Sequence, residues 1–254
     1  MASIGTGYDL SCSTFSPDGR IFQIEYASKA VENSSTSIAL RVKDGVVLAA
    51  EKLIHAQMMI PESNRRIDGV DSSCGLAISG LIADSRQLIA RSRNEAASYK
   101  STYGDNIPVR ILATRIASYV HAYTLYSSVR PFGCASILAG VDKDGPAVFV
   151  IEPSGVSWGF HAAAVGKGRQ TAKTELEKLK LEEMTCREAL KEAARIIALV
   201  HDDTKDKPFE LELAWVCEES NNKYERVPTD LHTEAMKSAE GTLDEMDDED
   251  DFDN

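Results

Sequence analysis

The order of strand-like and helix-like stretches constrains this chain most. TSIALRV, the turn KDG and VVLAA form two apolar or β-branched runs joined across Asp44-Gly45, a pattern that predicts a hairpin. CASILAGV, the turn Asp142-Lys143-Asp144-Gly145 and AVFVIE follow the same plan, and Pro153-Ser154-Gly155 turns the chain into a further strand, VSWGF. Between the hairpins two helices are expected, from about Leu81 to Tyr103 and from Val109 to Ser127, the second with Leu112, Ile116, Val120 and Tyr123 on one face. Two more follow the second hairpin. One lies near Arg169 to Leu181; the other starts around Met184, where Thr185 and Glu188 have capping-box spacing, and runs through Ala189, Ala193, Ile196 and Val200. FELELAWV reads as the closing strand. Strands, a helix pair, strands, a helix pair and a strand do not alternate as a parallel βαβ protein does. The fold class they imply is α/β (α+β): a four-layer α/β/β/α sandwich of two antiparallel sheets.

Before the first hairpin, Ile21, Ile24, Ala27 and Val31 recur at helical spacing beside a second stripe of Phe22, Tyr26 and Ala30. Ser16-Pro17-Asp18-Gly19 is the turn that starts this helix. The chain divides into an N-terminal segment with its helix (1–34), a core (35–238) and an acidic tail (239–254). The tail holds nine acids and no base, is expected to be disordered, and carries Thr242 as one acceptor for phosphorylation. Outside it, 31 acids nearly balance 28 bases. An acidic chain repels phosphate backbones, so nucleic acid is not an expected partner.

No apolar run approaches the ~18 residues of a membrane span, and the first residues lack the pattern of a secretory signal, so a soluble, intracellular protein is expected. The cysteines, Cys12, Cys74, Cys134, Cys186 and Cys217, are odd in number and form no CxxC pair. Neither a disulfide framework nor a structural zinc site is expected, and a reducing compartment suits them. His201, Asp202 and Asp203 are adjacent and cannot all face one way on a helix, so no metal is assigned there. No cofactor is expected: phosphate-loop, GxSxG and HExxH patterns are absent, and Gly166-Lys167-Gly168 reads as a strand-to-helix turn.

The stretch YDLSCSTFSPDGRIFQIEYASKA, Tyr8 to Ala30, closely resembles the signature of alpha-type subunits of the 20S proteasome: an aromatic, a spacer, FSPxGR, then QIEYA leading into a helix. ENSST, SGLIADSR, YVHAYTLYSSVRPFGC and IEPSGVSWG extend the resemblance over essentially the whole chain. It implies the sandwich of N-terminal nucleophile hydrolases. In that family beta-type subunits cut peptides with a threonine at the mature N-terminus, whose own amine serves as base. Here the corresponding position falls near Ser35, with Glu51 in place of the catalytic aspartate, and the signature precedes Ser35. No catalytic residue is therefore assigned, although a processed, active amidohydrolase and an adaptor working through the acidic tail are the competing readings.

The resemblance implies a seven-membered ring shared with other alpha subunits, contact with the adjacent beta ring, and docking of the 19S regulatory particle and other activators. Protein substrates would pass through the gate in ubiquitin-dependent degradation, in cytoplasm and nucleus, with no membrane involved. Family gating residues match Tyr8, Asp9, Pro17 and Tyr26, and activator-docking positions match Arg66, Gly19 and Gly80. Arg66 stands where the family has lysine, and Leu10 where many members have arginine. Leucine returns no charge-assisted bond, so the gate is expected to be asymmetric at that position. HAQMMIPES, from His55, departs most from the family pattern.

Overall fold

The computed structural model describes residues 7–60, 63–201 and 207–252, with 240 and 242–252 described in backbone only. Helix α1 (Phe22–Glu32) precedes the hairpin β1 (Ser37–Val42) and β2 (Gly45–Leu53). A second hairpin, β3 (Ile67–Asp71) and β4 (Cys74–Gly80), leads into α2 (Ile82–Tyr103) and α3 (Val109–Ala122). The strands β5 (Cys134–Asp142), β6 (Gly145–Ile151), β7 (Ser157–Phe160) and β8 (Ala162–Val165) follow, then α4 (Arg169–Lys178) and α5 (Cys186–Val200). Finally β9 (Phe209–Cys217), the short β10 (Glu225–Arg226) and α6 (Thr229–Phe252) complete the described chain.

The strands form two five-stranded antiparallel sheets, β10-β9-β2-β1-β8 and β3-β4-β5-β6-β7. Three apolar layers account for the four-layer stack. Ile38, Leu40, Val47, Leu213 and Trp215 project from the first sheet onto Ala189, Leu190, Ala193 and Ile197 of α5. Leu76, Ile78 and Leu138 project from the second sheet onto Leu88 of α2 and Leu112 and Ile116 of α3. The alternate residues of the same strands, Ala39, Leu48, Ala77, Ile137, Ala139 and Val216, meet in a layer between the sheets. Period-two alternation thus sends both faces of each central strand into apolar surroundings, which is why these strands read as unbroken apolar runs.

Each expected hairpin turn also starts a helix. Asp44 Oδ1 accepts the Cys186 amide at 2.9 Å, beside the capping box in which Thr185 and Glu188 exchange bonds. Asp142 Oδ2 accepts the Val109 amide at 2.9 Å, where Pro108 leaves α3 without a side-chain cap of its own. The turn of the first sheet therefore ties down a helix on its own outer face, and the turn of the second sheet does the same on the opposite face.

The expected helices and hairpins are all present, with differences at their ends. Helix α3 stops at Ala122 rather than Ser127. The hairpin β3–β4, strand β8 and strand β10 were not foreseen, because IDGVD and CGLAISG are short and rich in glycine. Helix α6 runs to Phe252 where a disordered tail was expected; its first turns bury Ala235 and Ala239 against the α5 side of the sandwich. The Thr242 side chain, Asp202 and Asp203 lie outside the described residues.

We expect Asp44→Ala and Asp142→Ala each to lower the unfolding free energy of the purified chain by about 1 kcal/mol, read by denaturant titration. The losses should add within about 0.5 kcal/mol, because the two caps share no partner.

Candidate functional site

The N-terminal segment is built around one turn and one helix. Ser16 N–H donates to Arg20 O at 2.9 Å, Gly19 N–H to Ser16 O at 2.9 Å, and Arg20 N–H to Ser16 Oγ at 3.0 Å. Gly19 sits at φ +75°, the left-handed region that a side chain would strain. Pro17 occupies the exposed corner of this turn. Arg20 then reaches forward with both ends of its fork to Glu25 in the first turn of α1 and lies 5.3 Å from the Phe22 ring centre. The carboxylate at that helix end also suits the helix dipole.

Two of the four candidate gating residues touch. Tyr26 Oη donates to Asp9 Oδ2 at 3.2 Å, and Gln23 Nε2 donates to Asp9 O, so α1 holds Asp9 by side chain and backbone. Loss of water around the phenol, followed by the nearby carboxylate, moves the Tyr26 hydroxyl above its ordinary pKa. Tyr8 is exposed beside this pair and Leu10 is 86% exposed. One contact of the segment carries no sequence signature: Cys12, 3% exposed between more accessible serines, points its thiol at Val129 O at 3.6 Å.

At the candidate docking position, Arg66 is 6% exposed, so its guanidinium is drawn inward rather than offered to solvent. Its Nη1 donates to Gly80 O at 3.2 Å, which brings two of the three docking candidates together. Its amide donates to Glu212 Oε2 at 2.7 Å. Burial lowers the pKa of Arg66, opposed by Glu212 and Glu51, and burial raises that of Glu212. The Arg66 Nε–H has no hydrogen-bond partner among the described residues. A cavity of about 180 Å³ adjoins it, lined by Arg65, Arg86, Ser85 and Asp68. Gly80, at φ +114°, admits no side chain because a Cβ would stand 2.3 Å from Gly133 O. Gly19 belongs to the N-terminal turn instead.

The position that would carry a nucleophile is closed. Ser35 is 3% exposed, its Oγ has no partner among the described residues, and its amide nitrogen is in peptide linkage two residues beyond Asn33, which ends α1. Glu51 is occupied on both oxygens, accepting Thr36 N–H at 3.0 Å through Oε2 and meeting His201 Nδ1 at 2.7 Å through Oε1. Thr36 Oγ1 in turn accepts Gly168 N–H at 3.0 Å, which makes Gly166-Lys167-Gly168 the turn from β8 into α4. This buried network braces the start of β1, and sequence alone did not connect its members. Among the described residues no cluster of metal-ligating side chains occurs.

Two family models match the chain: the proteasome subunit family over residues 31–216, and the N-terminal signature of A-type proteasome subunits over residues 8–30. An alpha type-3 proteasome subunit of Acanthamoeba castellanii is 61% identical over 246 residues, covering 97% of this chain and 98% of that protein. The alpha type-3 subunit of Spinacia oleracea is 58% identical over 97% of this chain and 99% of its own length. A probable alpha type-7 subunit of Saccharomyces cerevisiae is 52% identical over 98% of this chain and 88% of that protein.

Ser35→Ala should be neutral or stabilising by up to about 1–3 kcal/mol, because it removes a buried hydroxyl that bonds nothing. Glu51→Ala should destabilise by at least about 2 kcal/mol by stranding the Thr36 amide. Denaturant titration of both variants checks the contrast, and a loss in Ser35→Ala would contradict it.

Proposed function

This chain belongs to the proteasome subunit family as an alpha-type member, a non-catalytic subunit of the alpha ring of the 20S core, and from that premise we propose that its N-terminal segment gates entry to a threonine-protease chamber. The observation that carries the reading is the bond from Tyr26 to Asp9, which fixes the segment on α1 through a contact that can be broken and remade at little cost. In the ring, Tyr8 and the Pro17 turn complete the cluster with a neighbouring subunit. Exposed Leu10 supplies no charge to that neighbour, so the gate is asymmetric at this subunit.

Docking of an activator tail belongs to the Arg66 side of the molecule. The unpartnered Nε–H, with Arg65 and Arg86 around the cavity, supplies positive charge for a carboxylate, while burial makes Arg66 harder to reach than an exposed lysine. The ring, the adjacent beta ring and activators such as the 19S particle are the partners of this reading. Ubiquitin-dependent protein degradation in cytoplasm and nucleus is its setting, and five unpaired thiols suit a reducing compartment.

Deleting the residues through Ser13 should raise peptide hydrolysis by assembled particles without activator; no change would assign the block to another subunit. Arg66→Ala should weaken stimulation at limiting activator, and unchanged stimulation would remove Arg66 from the docking site. A native N-terminus at Ser35 would overturn the non-catalytic reading.

A further inference from the structure

Each sheet ends in an edge strand on either flank, and an unprotected edge invites pairing with another chain. Three of the four edges carry a device against this. Strand β10 is two residues long and both are charged, β3 holds Asp68 and Asp71 and shifts register between Gly69 and Asp71, and β7 is short and contains Gly159. Strand β8 differs: Ala162–Val165 reads AAAV, with no charge, no proline and an unbroken register against β1.

The main chain of β8 is open on one side. Arg41 N–H donates to His161 O at 2.8 Å, Lys167 N–H donates to Ser34 O at 2.8 Å, and Ala163 stands opposite Ala39. Period two then turns His161, Ala163, Val165 and Lys167 toward β1, and it turns the N–H and C=O of Ala162 and Ala164 away from the sheet. Two hollows flank this edge, one on each face of the strand. The one on the side of the second sheet holds about 320 Å³ against Val31, Val150 and Phe160, and the one on the helix side about 260 Å³ against Leu176, Leu179 and Leu181. A segment laid along β8 sends successive side chains to opposite faces, so a single extended apolar segment fills both. Trp158, 65% exposed, stands on β7 at the same flank, since only His161 separates β7 from β8. The rim is mixed in charge, with Arg169, Lys173, Glu32 and Glu152, so recognition falls to the main chain and to apolar side chains.

We propose that β8 is the seat of an extended apolar segment of the adjacent ring subunit, which hydrogen-bonds to Ala162 and Ala164 and places its side chains in the hollows on both faces. A lasting neighbour is the occupant because the edge is unguarded; a transient ligand would leave it open to aggregation between visits. A ring contact joins one flank of a subunit to the opposite flank of the next, and here the open edge lies on the β8 flank while β10 and β3, on the other flank, are guarded. The proposal rests on the ring reading above and is independent of the gating and docking assignments.

Residue-resolved amide hydrogen exchange, on the full chain alone and in the assembled particle, tests it. Ala162 and Ala164 should exchange at least about tenfold more slowly in the particle, because each amide gains a hydrogen bond there. Ala163 and Val165, already turned to β1, should be slow in both. Ala164→Pro removes an outward N–H, so the free variant should melt as the unaltered chain does, while its incorporation into particles should fall by about tenfold. Replacing Trp158 by photoreactive p-benzoylphenylalanine should give a cross-link to a neighbouring alpha-type subunit. Equal exchange of Ala162 and Ala164 in both states would overturn the proposal whether or not the proline variant folds. Normal incorporation of Ala164→Pro, or cross-links that reach only an activator, a substrate or a second copy of this chain, would do the same. Absence of the chain from purified particles would instead overturn the ring reading, and the proposal with it.

Discussion

Two sheets packed face to face leave little room between them, and the rest of this molecule follows from that constraint. The buried layer between the sheets mixes alanines such as Ala39, Ala50, Ala77, Ala135, Ala139 and Ala214 with valines, Leu48, Ile67 and Ile137, while Trp215 and most of the strand leucines lie on the outer faces of the same strands. The alanines of this layer cost no side-chain entropy on burial, and the larger residues of the outer faces bury their area against the helices. A central strand has a register that resists slipping, because a shift by one would exchange the side chains that face the other sheet with those that face the helices.

That rigidity explains why the position of a nucleophile is inert here. Ser35 enters β1 with α1 behind it, and the Glu51, Thr36 and Gly168 contacts at the strand start are spent on holding the sheet edge and the β8–α4 turn. The same scaffold in a processed chain would present an open strand end. In this chain α1 and the residues of the signature precede that strand end in unbroken peptide linkage.

The site was legible where chemistry is local. The Ser16-to-Arg20 turn, the Thr185–Glu188 cap and the turns at Asp44 and Asp142 depend on residues a few positions apart, and their residue types announce them. The Asp9–Tyr26 contact, made within one chain, joins two of the four positions that the resemblance grouped as gating residues. Arg66 was placed by alignment, yet its burial depends on Glu212 from β9 and Gly80 from β4, which no spacing reveals. Cys12 reads in the sequence as one unpaired thiol among five, and only the fold brings Val129, 117 residues away, to it.

By itself the sequence determined the order of elements, the two principal hairpins, the helix that follows the signature and the family to which the chain belongs, because periodicity, turn chemistry and a long motif act over short distances. Only the tertiary structure decided that IDGVD and CGLAISG form an edge hairpin, that Arg66 turns inward, and that Cys12 meets Val129. The reason is physical: a short, glycine-containing strand gains its stability from its neighbour in the sheet, and a buried charge or thiol gains its meaning from partners that only the folded chain brings within reach.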